Sequence, residues 1–485
     1  MRETGNNGLM KRAAALLAAV LLLVQPAFAG GPLNVGGPGV GLPGVPLLWD
    51  DSKAIVYRVD AGPLSQRPNG GAVVIDNASG IARVNGMFGN WAAISTANLS
   101  FSNAGGLLAI ANAGFPSGGD VQTAQQFMAV VGDTSGQTAP DPNSCNGGGQ
   151  SPIVFDADGS IFGALGLPPE VIGFAFACDY DAATGRIISA GAMLNGRFQD
   201  GINDSNSGNL ELTTDEFNQA FTHEFGHFLG LGHSQINVDL LLKAVNNQSY
   251  TCTSDDTAGM PLMFPILGIC PAKVTSKLPI IAVDDAAWIS KLYPVGSSPP
   301  AGKTSYNGAY GTISGNVLFS DGTTPVQGVN VIARNTNAPR RNAASAVSGY
   351  LFTGNLGQTT TCIDPAHRSA ATCSNLGDPF GARDATLIGH YEIPLPPGTY
   401  SISVESVYAG FTGGSSLTPL DPPIPMPGTY SPTSATVSVK AGAATSLDIT
   451  LQGTPSRFDA FESAAMNGEG QLRWLRRKQF CLELA

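Results

Sequence analysis

The sequence predicts two folded domains in one chain, a first of α+β type and a second that is an all-β antiparallel sandwich. Three observations carry that reading. A chain of 485 residues is longer than a single hydrophobic core usually serves. Before about residue 296, β-branched and aromatic runs alternate with stretches whose apolar residues recur three or four apart, the periods of strand and helix. Beyond residue 311 only strand-like alternation remains, cut by Gly, Pro and Asp turns. With 61 Gly and 34 Pro against 13% charged residues, short strands and long turns are expected throughout.

Taken in order, residues 1–29 read as a cleaved signal peptide, so the mature chain is expected to be secreted. Lys11 and Arg12 precede an apolar run too short to span a bilayer comfortably, and Ala27-Phe28-Ala29 places small residues where a signal peptidase cuts. Residues 30–47 are a Gly/Pro-rich lead-in with no core of their own, expected to be flexible or a short pro-segment. Residues 48–296 make the first domain. There "AIVYRVD" (54–60) and "LSFSNAGGLLAI" (99–110) are strand candidates on either side of a helix candidate, "ARVNGMFGNWAAIS" (82–95), on which Val84, Phe88, Trp91 and Ile94 share a face. Residues 112–160 resist assignment apart from the strand "PIVFD" (152–156), and "VIGFAFACDY" (171–180) and "RIISAGAMLNGRF" (186–198) follow as strands. A helix starts after Thr213: Glu216 completes the form of a capping box, and Phe217, Ala220, Phe221, Phe225, Phe228 and Leu229 recur at helical spacing. Residues 297–310, opening "SSPPAGK", read as a linker, residues 311–452 as the sandwich, and residues 453–485 as a frayed or solvated tail.

Removing Arg2, Glu3, Lys11 and Arg12 with the signal takes the net charge from -11 to about -13 and leaves no basic stretch outside the extreme C-terminus. Nucleic acid is therefore not an expected partner, and no membrane span is expected after signal cleavage. Seven cysteines fall as Cys145 and Cys178, Cys252 and Cys270, Cys362 and Cys373, and a lone Cys481. None forms a CxxC, so export makes three local disulfides the expectation, with their pairing open.

Chemistry concentrates in "FTHEFGHFLGLGHSQ" (221–235), which holds three of the five histidines. His223 and His227 lie one helical turn apart and project from one face, where two imidazoles can share an ion. Glu224 is rotated by about 100° from His223, within reach of a metal-bound water without being a ligand. A catalytic zinc takes three protein ligands and leaves one position for water. His233 is the natural third, because His367 and His390 both fall in the second domain. Reaching back from it requires the helix to end and the chain to reverse, which Gly230 and Gly232 permit. Three histidines at these offsets would arise by chance in such a chain about once in two thousand.

The full string, H-E-x-x-H-x-x-G-x-x-H, resembles the metzincin clan of zinc endopeptidases, and Ser234 directly after the third histidine makes it similar to the matrixins within that clan. "PLMFP" (261–265) resembles the clan's Met-turn, which would set Met263 beneath the metal ligands, with Met260 as the second candidate. "VDDAAWISKLYP" (283–294) resembles the closing helix, and "IVYRVD" with "FGNWAAISTANLSF" the opening strand, helix and strand. The resemblance implies a metzincin-type catalytic domain, a twisted mixed sheet plus an active-site helix. About thirty residues separate His233 from Met263, more than the short link such a domain usually has. With no further histidine in this domain, a second, structural zinc is not expected. In residues 311–452, "ISGNVLFSDGTTPVQGVNVIARN" and "GHYEIPLPPGTYSISV" resemble a carboxypeptidase regulatory-like or transthyretin-related sandwich.

These readings imply a secreted zinc metalloendopeptidase acting on a protein or peptide substrate. Zinc on His223, His227 and His233 would lower the pKa of a water whose proton Glu224 takes as general base. An extended substrate is expected along a sheet edge, supplied either by residues 160–167 or by "ISAGAMLNG" (188–196). Asp156 and Asp158 before Gly159, with Asp200 and Asp204 on a second acidic loop, are candidate calcium ligands. The sandwich is either structural or a binding surface for carbohydrate or protein. The rival reading is an adhesion protein with a metal-stabilised scaffold, which would have no need of a general base at Glu224.

Overall fold

The computed structural model describes residues 30–37, 40–108, 119–131, 150–203, 211–245, 248–326, 328–352, 381–382, 384–406 and 435–451. Residues 1–29, expected to be a signal peptide, lie outside them, as do Asp204, Cys145, Cys362, His367, Cys373, Cys481 and residues 453–485. The first region contains β1 (Ile55–Val59), β2 (Ser65–Gln66), β3 (Val73–Ile75), α1 (Asn77–Ala92), β4 (Phe101–Gly106), α2 (Ala124–Val131), β5 (Pro152–Asp156), α3 (Ser160–Leu165), β6 (Gly173–Tyr180), β7 (Ile187–Asn195), α4 (Thr214–Phe228), α5 (Val238–Val245), α6 (Ser254–Gly259) and α7 (Val283–Leu292). After α8 (Tyr306–Ala309) the described residues hold, apart from a 3-10 turn at Ala385–Leu387, strands: β8 (Gly311–Leu318), β9 (Val329–Asn335), β10 (Ala343–Val347), β11 (His390–Leu395), β12 (Gly398–Ser406), β13 (Ala435–Val439), β14 (Ala444–Ser446) and β15 (Ile449–Thr450).

A mixed five-stranded sheet, ordered β4-β1-β5-β7-β6, organises the first region; β6 alone runs antiparallel and forms one edge. Side chains alternate across it as the period-two geometry of a strand demands. Ile153 and Phe155 join α1 and α4 in one core, while Val154 faces a second core with Phe127 of α2, Phe162 of α3 and Phe174 and Phe176 of β6. Helix α1 starts five residues before the expected stretch because the Asp76 side chain accepts from the Ser79 N–H at 2.8 Å. Its Phe88 stacks on Phe225 of α4 with centroids 4.1 Å apart, and its Trp91 Nε1 donates to the Thr222 carbonyl.

The substrate-edge expectation is corrected. Residues 160–165 are helical, and "ISAGAMLNG" belongs to β7, which is covered on both sides by β5 and β6. β6 is the edge, because β7 is hydrophobic along nearly its whole length and suits an interior position.

The second region holds two sheets, β10-β9-β12-β13 and β11-β8-β14 with β15 also on β8. Their inward residues, among them Ile313, Val331, Ile393, Ile402 and Val439, are buried together. The expected purely antiparallel pattern is not kept: β14 and β15 run parallel to β8. A short turn after β13 carries the chain to the other sheet, and Gly315 lets it close, since a Cβ there would lie 2.0 Å from the Leu447 carbonyl oxygen.

The lead-in, expected to be flexible or a short pro-segment, is packed, and the linker is anchored through Lys303. In the lead-in, Leu33, Val35 and Leu47 are buried, and Gly30 N–H donates to His233 O, Leu33 N–H to Gly230 O and Gly232 N–H to Gly31 O. With Val40 these make four buried apolar side chains spaced among the glycines, which composition conceals. In the linker, Lys303 Nζ donates to the carbonyls of Ala92, Ile94 and Ala97, at and just beyond the C-terminal end of α1.

Candidate metal centre

Helix α4 carries the first two histidines. Its start is the expected capping box: Thr213 Oγ1 accepts from Glu216 N–H at 3.3 Å, and Glu216 Oε2 accepts from Thr213 N–H at 2.9 Å. The helix stops at Leu229, and Gly230 turns the chain at φ +83°, a left-handed conformation that only glycine adopts cheaply. Gly232 is not in that region, so one of the two expected glycines makes the reversal.

The reversal returns His233 to the helix. His227 Nε2 lies 3.1 Å from both His223 Nε2 and His233 Nε2, and the three rings are buried. The opposite ring nitrogens are held by carbonyls, His223 Nδ1 by Leu262 O at 2.7 Å and His227 Nδ1 by Leu231 O at 2.8 Å. A carbonyl only accepts, so each Nδ1 carries the proton and each Nε2 presents a lone pair to the centre. Burial, with the charge of His227, pushes His223 well below its ordinary range, and burial pushes His227 down to about 4. Neutral lone pairs facing one another at 3.1 Å repel unless a cation lies between them. The donor set therefore fits a metal ion, and among the described residues it is the group of three or more His, Cys, Asp or Glu side chains whose ligating atoms converge, within 4.8 Å of one another.

Glu224 stands beside this group, fully buried, with neither carboxylate oxygen hydrogen-bonded. Burial raises its carboxyl well above the usual range, with the Ala175 N–H of β6 close enough to oppose the shift without completing a hydrogen bond. Met263 packs directly under α4: a Cβ on Gly226 would sit 2.3 Å from its Sδ. Met260 lies elsewhere, in a cluster with Val238, Leu240 and Phe264.

Sequence reasoning missed what holds this turn in place. Asp285 of α7 accepts from the Leu262, Met263 and Ala282 N–H groups at 2.7, 2.9 and 2.9 Å. The same Leu262 orients His223, and Ser234 N–H donates to Met263 O at 2.8 Å. The signal was present in "VDD", two adjacent carboxylates opening an otherwise apolar helix, both of which are buried. Lys273 is buried nearby without a hydrogen bond and is pushed down to about 8 by burial, with Asp285 acting in the other direction.

Of the calcium candidates, Asp156 accepts from Phe162 N–H, Asp158 from Ser160 N–H and Asp200 from Ile202 N–H. Among the described residues these three form no converging group, and Asp204 lies outside the described residues. Cys252 and Cys270 form a disulfide that closes the α5–α6 insert, and Cys178 is bonded to a cysteine outside the described residues. His390 lies half-buried on β11, far along the chain from the centre.

No curated protein matches the chain. Two solved structures are similar in part. One is BcpA, the major pilin subunit of Bacillus cereus, with 13% identity, a TM-score of 0.15 and coverage of 30% of each chain. The other is a leucine-rich repeat protein from Bacteroides thetaiotaomicron VPI-5482, with 11% identity, a TM-score of 0.14 and coverage of 30% of this chain and 13% of that one. This chain thus spans less than a third of either, and likenesses this slight carry no argument. Residues 175–265, from β6 through the three histidines to the Met263 turn, match the Matrixin peptidase family, so the chain contains a matrixin-like domain of the kind found in zinc metallopeptidases.

Proposed function

We propose that the protein is a secreted zinc-dependent endopeptidase in which His223, His227 and His233 hold the metal and Glu224 is the general base. The single observation that carries this is Glu224, a buried carboxylate without a hydrogen-bond partner, one residue from the first of three converging imidazoles. Buried carboxylates without partners are costly, and persist where chemistry uses them. Bound zinc supplies a Lewis acid that acidifies water and polarises a carbonyl.

The chain's own groups do the rest. Burial raises the Glu224 carboxyl well above its ordinary value and so makes it a stronger base than an exposed carboxylate. It removes the proton of the attacking water and delivers it to the leaving amine. The outer edge of β6 offers main-chain donors and acceptors to a protein or peptide substrate lying extended beside Glu224. Met263 fills the space beneath the ligands and fixes the height of α4. Among the described residues no helix is long and apolar enough to cross a membrane.

Zinc content and hydrolysis of casein or gelatin, measured on the parent and on Glu224→Ala, test the proposal. Both proteins are expected to hold about one zinc, and only the parent to cleave. A parent that binds zinc but cleaves no member of a broad peptide library would move the scaffold reading ahead, and a parent that binds none would end both.

A further inference from the structure

The β9–β10 hairpin reaches out of the second region and touches the chain just after His233. Residues Ser234, Gln235, Ile236 and Asn237 are fully buried yet belong to no helix or strand. Such a loop needs partners for its polar groups, and it is strained, because Asn237 sits at φ +64°. The hairpin supplies those partners. Asn330 Nδ2 donates to Gln235 O at 3.1 Å, Arg334 Nη1 donates to Asn237 Oδ1 at 2.8 Å, and Ile236 is enclosed by Ile332 and Ala343. At the hairpin tip Arg340 bridges α5 and α6, with Nη1 2.9 Å from Asp239 Oδ1 and Nε 2.6 Å from Asp256 Oδ1.

A second set of contacts closes a ring. Ser345 of β10 donates its N–H to Asp284 Oδ1 and accepts from Trp288 Nε1, both on α7. The same helix carries Asp285, which holds Leu262 and Met263; Leu262 O orients His223 and Met263 O anchors Ser234. From Ser345 the ring runs through α7 and the Met263 turn to Ser234, and returns to the hairpin at Asn330. His233 directly precedes Ser234 in the chain.

We propose that the β9–β10 hairpin is a built-in part of the metal centre, with Asn330 and Arg334 as positioning residues that aim the third imidazole by fixing the loop after it. The second region is then a structural support of the site rather than an appended binding module. The inference rests on the reading of the three histidines as a metal site, and its test separates the two.

The full chain is compared with Asn330→Ala/Arg334→Met, with Arg334→Lys, and with Lys291→Met. The last removes a 2.6 Å ion pair to Glu392 across the same interface but away from the loop. Zinc dissociation constants are read by competition with a chromogenic chelator, the cobalt(II) absorption spectrum reports ligand geometry, and apo unfolding midpoints report general stability. The double variant is expected to weaken zinc about tenfold and alter the cobalt spectrum, Arg334→Lys to fall between it and the parent, and Lys291→Met to lower the midpoint while leaving zinc affinity within about twofold. If the double variant does not fold, Arg334→Lys decides alone. A parental zinc constant and cobalt spectrum in the Asn330 and Arg334 variants, with only the midpoint lowered, overturns the hairpin's role and leaves the metal reading standing. A parent that binds no zinc overturns both.

Discussion

Replacing Asp285 by asparagine tests the support beneath the metal centre. Its carboxylate receives three N–H groups, Leu262 and Ala282 on Oδ2 and Met263 on Oδ1. An asparagine has one acceptor oxygen. Placed at the Oδ2 position it keeps two of the bonds and turns an NH2 toward the Met263 N–H; placed at Oδ1 it keeps one. The first arrangement is the less costly. A buried N–H left unpaired costs about 1–3 kcal/mol, and the two surviving bonds lose the charge that made each about twice as strong. Relief comes from removing a buried charge beside Asp284, but Lys273 then loses the one charge that holds its own ammonium up. We expect Asp285→Asn to lower unfolding stability by about 3 kcal/mol, read from urea denaturation of the metal-free protein, and to weaken zinc retention through the displaced Leu262 carbonyl. A loss below about 0.5 kcal/mol would show that the Met263 turn is held by something other than this carboxylate.

Gly226→Ala should destabilise, against helix propensity. The substitution gains about 1 kcal/mol in a helix interior, but the new methyl meets Met263 Sδ at 2.3 Å and Trp91 Cζ2 at 3.0 Å. The Met263 thioether can move only within the buried space that it fills, and overpacking costs about 1–3 kcal/mol. A net loss of about 1 kcal/mol is expected, reversing to a gain when Met263→Ala opens the space; a gain in the parent background would refute the packing of Met263 on Gly226. The pH prediction concerns proton release. His223 and His227 lie below the ordinary value of 6.5, His227 at about 4, so both are neutral at pH 6 before metal arrives. Three ordinary imidazoles would release about 2.3 protons on binding zinc at pH 6. Calorimetry in buffers of different ionisation enthalpy, on Glu224→Gln to silence that carboxyl, should find about one or fewer; a value near two contradicts the burial argument. By the same shift the unfolded chain binds more protons below about 6.5, so the stability contributed by His227 is full above about 6.5 and is lost as pH falls toward 4, with His223 acting in the same direction.

By itself the sequence determined whatever depends on residues near one another in the chain. The i, i+4 spacing of His223 and His227, the Thr213–Glu216 box and the turn at Gly230 are consequences of helix geometry over a few residues, and so are the positions of β1, β5, β6 and β9. Only the tertiary structure decided which strand forms the sheet edge, that Met263 rather than Met260 lies under α4, and that Cys252 pairs with Cys270. It alone joined Asp285 to a turn more than twenty residues earlier and Asn330 to a loop ninety-five residues earlier. The packing of the lead-in and the anchoring of the linker were hidden for the same reason. Their Gly, Pro and Ser content describes backbone freedom in isolation, whereas the carbonyls that bind Lys303 and the loop that pairs with Gly30, Gly31 and Leu33 come from distant parts of the chain. Periodicity and capping are local in physics and legible in order; long-range hydrogen bonds depend on which surfaces meet, and that is settled only when the whole core closes.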